Sequence, residues 1–263
     1  MANGEILKTN MGLESRLIGR WFDELQLYAA PTCNMLCNFC SKGSDCITNG
    51  NNPMFLSRPM TPRQAVNWAI SAASKDKRIK VIKISGPGEP LCNRQTFEVF
   101  KRLQPKLPDH IFGISTNGLL LKEKTDELEQ VGVRLVDISV NAIHDEVIQK
   151  LYSKLIVDGN IIALSDDLAK TLRIRQMYGI SKCIAHNMTV KINTVYFPGI
   201  NDEEIPAIAE QYRELGAASM CIISGCPGGK LTKMRLPSIA DMILMQQKVS
   251  KFFPEVQIKT FMT

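Results

Sequence analysis

Apolar positions along this chain follow two alternating rhythms. Short β-branched runs occur at Leu25–Ala30 (LQLYAA), Val81–Ser85 (VIKIS), Ile111–Thr116 (IFGIST), Leu135–Val140 (LVDISV), Thr189–Val195 (TVKINTV) and Met220–Ser224 (MCIIS). Their length and composition predict six strands. Between them, helical spacing predicts helices over Thr61–Ser74, Arg94–Gln104, Lys122–Val131, Asp145–Leu155, Asp202–Leu215 and Pro237–Lys251. Thr61 followed by Pro62 suits an N-cap with proline at the first helical position, and Asn201 before Asp202 reads in the same sense. Repeated strand–helix units imply parallel strands joined by right-handed crossovers, hence an α/β barrel-like sheet. Residues 1–24 read as an N-terminal extension and 25–263 as one barrel core. No low-complexity stretch, long linker or second domain interrupts the pattern.

Composition changes this picture little. The 263 residues are 44% hydrophobic, as in an ordinary globular chain. Eight cysteines would suggest a disulfide framework in a short secreted protein. The start, MANGEILKTNMGLESRLIGRW, contains no long apolar segment. The expectation is therefore neither signal peptide nor membrane anchor, and a cytoplasmic chain whose reduced cysteines serve a metal. Net charge is +6, with lysines and arginines dispersed among acidic residues, as in SKDKRIK and KTLRIRQ. That pattern reads as a solvated surface, with no nucleic-acid groove and no membrane face.

Cysteine spacing carries the chemistry. Cys33, Cys37 and Cys40 stand in CNMLCNFC, directly after the first apolar strand and Pro31. Thiolates hold iron–sulfur clusters, and four normally saturate a 4Fe–4S cube. A set of three can leave one iron open to bind a small molecule and pass it an electron. Buried structural cysteines have no reason to keep such spacing, and a zinc site wants a second ligand pair that is not nearby.

This triplet resembles that of the radical S-adenosylmethionine (SAM) superfamily. The resemblance extends over nearly the whole chain and implies a partial (β/α)₆ TIM-like barrel of the radical SAM type. It also implies that Cys33, Cys37 and Cys40 hold a 4Fe–4S cluster whose open iron chelates SAM. Reductive cleavage of SAM would then yield a 5′-deoxyadenosyl radical. A reductant such as a ferredoxin or flavodoxin is the implied partner, and an oxygen-sensitive cluster the implied liability. Phe39 occupies a position where the family often has an aromatic residue near adenine, although packing alone would equally explain it.

Barrel chemistry sits at the C-terminal ends of strands. After the second strand comes Gly86, Pro87, Gly88, Glu89 and Pro90 (GPGEP). A glycine–glutamate turn at this place in the family binds the methionine amino group of SAM, largely through backbone atoms. Ser115, Thr116, Asn117 and Gly118 (STNG) end the third strand and offer hydroxyl and amide groups to a carboxylate or ribose. Asn141, after the fourth strand, and Asn193, within the fifth, are further candidate SAM contacts. Each of these motifs also has a local reading as a turn or a satisfied backbone. SGCPGGK, after the sixth strand, is another glycine-rich loop at the same mouth.

The combination APTCNMLCNFC, Ser44–Cys46, GPGEPL, STNGL and above all VKINTVYFPGIND (190–202) is similar to the nitrogenase cofactor biosynthesis protein B (NifB) family. That likeness implies iron–sulfur metallocofactor assembly: fusion of two auxiliary 4Fe–4S clusters and insertion of a SAM-derived carbide. Iron–sulfur cluster donor or acceptor proteins would be partners. Cys46 matches a cysteine that helps hold substrate cluster in that family. NifB proteins also carry a His-Pro-Cys-type segment before the SAM motif and a cysteine-rich tail after the barrel. Neither has a counterpart in these residues, which leaves Cys92, Cys226 and His144 as auxiliary-ligand candidates beside Cys46. Cys183 and Cys221 lie in contexts that also read as core. The alternative is a NifB-related enzyme that acts, without auxiliary clusters, on a peptide, cofactor precursor or small molecule.

Overall fold

The computed structural model describes residues 24–40, 59–157, 160–163 and 165–260. Seven strands form one parallel sheet: β1 (Glu24–Leu27), β3 (Val81–Ile84), β4 (Ile111–Thr116), β5 (Val133–Ser139), β8 (Thr189–Tyr196), β9 (Ser219–Ser224) and β10 (Gln257–Lys259), adjacent in that order. All six pairings are parallel. The expected six strands are all present, and β10 adds a seventh at the far edge.

Helices α1 (Pro62–Lys75), α2 (Arg94–Leu103), α3 (Leu121–Gln130), α5 (Asp166–Ala185), α6 (Glu204–Leu215) and α7 (Ile239–Ser250) alternate with the strands. Period-two alternation explains how they pack. Ile82 and Ile84 of β3, Ile114 of β4, Val136 and Ile138 of β5, and Val190 and Ile192 of β8 are buried in one core with Phe100, Leu121, Ile180 and Tyr212 of the helices. The other face of these strands is polar, carrying Lys83, Ser115, Asp137, Lys191 and Asn193 in register. Complete TIM barrels fill that interior with branched apolar side chains. This sheet does not.

The largest departure from expectation lies between β5 and β8. The helix expected over Asp145–Leu155 ends at Leu151 (α4, Asp145–Leu151), and the chain turns into β6 (Tyr152–Val157) and β7 (Asn160–Ala163). With β2 (Met35–Cys37) these form a separate antiparallel sheet, ordered β2-β6-β7. The crossover helix of this unit is α5, which the sequence pattern did not single out.

Thr61 caps α1 as expected, in a reciprocal box with Gln64 and with Pro62 in the first turn. Asn201 does not cap α6, which starts two residues beyond Asp202. Its side chain instead ties off β8: Oδ1 accepts from Phe197 N (2.8 Å), and Nδ2 donates to Val195 O (2.8 Å) and Asn141 O (3.0 Å). No helix among the described residues is long and apolar enough to cross a membrane.

Candidate functional site

The cysteine segment leaves β1 and is fixed to the barrel by the GPGEP turn. Ala30 N donates to Gly86 O (2.9 Å), Gly88 N to Ala30 O (2.6 Å) and Glu89 N to Thr32 O (2.8 Å). Gly88 is required by space: a Cβ there would stand 2.1 Å from Thr32 O. Asn93 locks the same point from behind, with Nδ2 donating to Thr32 O (2.9 Å) and Glu89 O (2.6 Å), and Oδ1 accepting from the Thr32 hydroxyl (2.8 Å). The residue immediately before Cys33 is therefore held from two sides.

Glu89 joins this turn to STNG. Its buried carboxylate accepts from Thr116 Oγ1 (2.6 Å), Asn117 N (2.7 Å) and Leu91 N (2.9 Å). Burial pushes its carboxyl up, against the downward pull of those three donors. The side chain is thus spent on the scaffold, and the turn presents backbone. Asn117 Nδ2 then donates to Asn34 Oδ1 (2.7 Å), bringing the third strand's end against the cysteine loop. Asn34 Nδ2, one residue after Cys33, is buried with no hydrogen-bond partner. A buried N–H without an acceptor is costly, so it marks a place for an acceptor atom.

Cys33, Cys37 and Cys40 are half-buried, and none is in a disulfide. Cys33, Cys37 and Phe39 pack on an apolar cluster of Met35, Leu119, Ala142, Tyr152, Leu155 and Phe197, with Leu231 and Met234 beside them. Phe39 lies 4.9 Å from Phe197 and 6.0 Å, edge-on, from Tyr152. Asn38 anchors the loop: Nδ2 donates to Lys150 O (2.9 Å), and its carbonyl accepts from Lys230 N (2.7 Å) and Leu231 N (3.2 Å). Gly229 lets the loop after β9 approach, since a Cβ would sit 2.4 Å from Asn38 O and 2.9 Å from Cys40 O.

Three thiols outside any disulfide within one eight-residue segment, an apolar surround and an orphaned donor beside the first cysteine fit a 4Fe–4S cluster with one open iron. Among the described residues no three His, Cys, Asp or Glu side chains gather around a single-ion site.

The other sequence candidates separate. Asn141 is buried and committed, accepting from Val195 N (2.8 Å) and donating to Tyr152 Oη (2.9 Å). Ser115 and Asn193 lie half-buried on the polar inner wall. Cys92 turns its thiol to Glu89 O (3.2 Å) and Thr32 O (3.4 Å). Cys226 is exposed, while Cys183 and Cys221 are buried. His144 joins Glu204 through Nδ1 (2.6 Å), and the Glu204 carboxylate also accepts from Ile143 N (2.5 Å) and His144 N (3.0 Å). That carboxylate raises His144 above the ordinary imidazole range. Cys46 lies outside the described residues.

Sequence reasoning missed the inner-wall charges. Lys83 Nζ bridges Glu24 Oε2 (2.7 Å) and Asp137 Oδ2 (2.8 Å), and Lys191 Nζ stands 3.6 Å from the same Asp137 oxygen. Burial alone would raise Asp137, but Lys83 and Lys191 outweigh it and hold the carboxyl below its usual range. The available signal was one charged residue inside each apolar run: VIKIS, LVDIS and VKINTV.

The radical SAM superfamily model matches residues 27–212, from β1 through α6, and includes all three cysteines. Curated relatives named FeMo cofactor biosynthesis protein NifB are 30% identical in Methanocaldococcus infernus, over 89% of this chain and 77% of that protein, and 35% identical in Klebsiella pneumoniae, over 74% and 42%. The chain is a radical SAM protein of the NifB family. It spans about half the length of the Klebsiella relative and of the Chlorobaculum tepidum NifB (28% identical, covering 90% of this chain and 56% of that protein). Two solved structures share the fold. A radical SAM methyltransferase from Sphaerobacter thermophilus has a TM-score of 0.63 at 19% identity, covering 90% of this chain and 66% of that one. A methylornithine synthase has a TM-score of 0.63 at 15% identity, covering 98% and 72%. Family membership makes this NifB-family chain an enzyme and implies the cluster and SAM as its cofactors.

Proposed function

We propose that this NifB-family chain is a SAM-cleaving enzyme of iron–sulfur metallocofactor assembly. The observation that carries the reading is the tied unit of Cys33, Cys37 and Cys40 with the GPGEP and STNG turns, which converges on the orphaned Asn34 amide. Cys33, Cys37 and Cys40 would hold the 4Fe–4S cluster, and SAM would lie over the turn backbone, near Ser115 and Phe39. When bound, these groups supply reductive cleavage of SAM and hence a 5′-deoxyadenosyl radical. The chain's own part is positional. Thr32 and Gly88 fix where the first cysteine stands, Glu89 joins the two turns, and Asn34 offers its N–H to cluster sulfide or methionine carboxylate. Phe39, Tyr152 and Phe197 exclude water from that side. The substrate in this reading is iron–sulfur cluster, delivered in the cytoplasm by a partner protein, with a ferredoxin or flavodoxin as electron donor.

A second reading keeps the SAM chemistry and changes the substrate to a small organic molecule. It is favoured by the polar inner wall and by the dispersal of Cys92, Cys183, Cys221 and Cys226. Anaerobic iron and sulfide quantification with electron paramagnetic resonance separates the readings, using wild type and the Cys33/Cys37/Cys40→Ala variant. Residual cluster signal in the variant supports cluster assembly. About four irons in wild type and none in the variant supports the organic substrate. A wild type that holds no cluster after reconstitution refutes both.

A further inference from the structure

The small antiparallel sheet has an outer side that meets solvent. Pairing sets Leu36 beside Lys154, Lys154 beside Ala163, and Ile156 beside Ile161. Alternation puts these five on one side and the buried Met35 and Leu155 on the other. Ile161 is 70% exposed, Lys154 and Ala163 are exposed, and Leu36 and Ile156 are half-buried. Leu36 stands between Cys33 and Cys37, so the cysteine loop is itself part of this surface. Lysines surround the apolar strip, and Lys150, Lys154, Lys230 and Lys233 are all exposed. Each sits on a segment that grips the cysteine loop. Lys150 gives its carbonyl to Asn38 Nδ2, Lys154 pairs with Leu36, and Lys230 N donates to Asn38 O. Lys233 lies between Leu231 and Met234, which pack beside Cys33, Cys37 and Phe39. Lys230 Nζ reaches across to Ser153 Oγ (2.8 Å), whose hydroxyl donates to Asn38 Oδ1.

We propose that this face is the docking site for a small acidic electron-donor protein, with Ile156 and Ile161 at its apolar centre and Lys150, Lys154, Lys230 and Lys233 as its cationic rim. This rests on the SAM-cleaving reading above, in which a ferredoxin or flavodoxin supplies the electron.

Charge, place and composition select this partner. Residues 33–40, 147–157, 160–163 and 226–240 contain no Asp or Glu. No ion pair among the described residues engages the Lys150, Lys154 or Lys233 ammonium, and the first acid met beyond Lys150 is Asp166, which accepts from Gln149 Nε2. Lysines without acids favour a negatively charged partner and steer its approach. Electron transfer falls steeply with distance, and here the cysteine loop reaches the surface. The donor gives up one electron and the cluster gains it, with no bond made or broken at the interface. An apolar centre inside a charged rim is the anatomy of a protein interface. An exposed isoleucine on the outermost strand of a sheet is a pairing liability, which a docked protein covers. A nucleic-acid strand would want arginines and aromatic platforms. The face presents no exposed aromatic ring, and the arginine of these segments, Arg235, is taken by Asp241 (2.6 Å).

The test is calorimetric titration of the anaerobically reconstituted protein, at low salt, with an acidic 4Fe–4S ferredoxin and an acidic flavodoxin in turn. Formation of 5′-deoxyadenosine is then measured with the same donors, reduced beforehand, and separately with dithionite. The expected result is binding of at least one donor, weakened about tenfold or more in Lys154→Glu/Lys233→Glu. Binding should also fade at about 1 M salt, where the screening length is about 3 Å. Lys106→Glu makes the same change of charge between α2 and β4, at the opposite end of the strands, and should bind as wild type does. Ile161→Ser should weaken binding and keep its salt dependence. In the double variant donor-driven turnover should fall while dithionite-driven turnover and iron content hold, which separates docking from damage to the cluster. Unchanged binding in the double variant, an equal loss in Lys106→Glu, or a matching fall in dithionite-driven turnover would each overturn the assignment. So would a dimer in sedimentation that Ile161→Ser dissolves, since it gives the face to a second copy of this chain. A wild type that cleaves SAM with dithionite and binds neither donor defeats the docking face alone, whereas one inert with every reductant defeats the SAM-cleaving reading beneath it.

Discussion

Replacing Gly88 by alanine tests whether the turn positions the cysteine loop. The added Cβ would meet Thr32 O at 2.1 Å, Thr32 C at 2.5 Å and Ala30 O at 3.0 Å, all backbone atoms with no rotamer to yield. Normal contact is about 3.5 Å, so the two segments must separate by roughly 1 Å. That movement would stretch or break the three bonds that join them, at 2.6, 2.8 and 2.9 Å. At about 1 kcal/mol each, the expected cost is about 3 kcal/mol. Gly199→Ala is the control. Nothing lies within 4 Å of its Cβ, but its φ is +81°, so only the left-handed backbone penalty of about 1 kcal/mol applies. Urea unfolding of the anaerobic apoprotein, followed by circular dichroism, measures both. Iron retained per chain should fall in Gly88→Ala and hold in Gly199→Ala. Equal destabilisation of the two variants, with equal iron, would refute the claim that this contact sets where Cys33 stands.

Three further outcomes follow from the same geometry. Glu89→Ala strips the acceptor from Thr116 Oγ1, Asn117 N and Leu91 N and should cost about 3 kcal/mol in urea unfolding; a loss below about 1 kcal/mol would show those donors finding other partners. Lys83→Met leaves Glu24 and Asp137 facing each other without their shared cation and should destabilise by about 3–5 kcal/mol; a variant as stable as wild type would mean the wall is well solvated. His144 is raised by the Glu204 hydrogen bond and charge, so its contribution to stability is full below the unfolded imidazole pKa and is lost as pH rises through the higher folded value. A magnetic-resonance titration should show that elevation in wild type and its return toward the ordinary range in Glu204→Gln. An unchanged titration in the variant would contradict the pairing.

Much of this architecture can be read from residue order, and the exceptions have causes. The six strand runs stand out because one face is buried under helices, so Ile and Val recur at every second position. The hairpin β6–β7 was concealed by coincidence: Ile148, Leu151 and Leu155 continue helical spacing across the point where the helix stops. Helix α5 hid for the opposite reason, with Gly179 in its second half and Ile174 and Tyr178 exposed on its outer side. That glycine has a packing cause visible only in three dimensions, since a Cβ would lie 2.7 Å from Leu121 Cβ. At the site, the cysteine triplet and the two turns were legible because local spacing encodes them. The Asn34–Asn117 contact and the inner-wall charges were not, since they join residues more than fifty positions apart.

The anchoring of Asn38 has a consequence for the order in which this protein is made. Its side-chain amide is held by the carbonyl of Lys150, and its backbone carbonyl by the backbone amides of Lys230 and Leu231. The cysteines leave the ribosome well before the clasp that closes over them, which the loop after β9 supplies. A nascent chain halted before Gly229 carries all three thiols without that clasp. Iron delivered before that loop is synthesised would meet an unfinished cradle, so productive loading follows the emergence of Gly229 and Lys230.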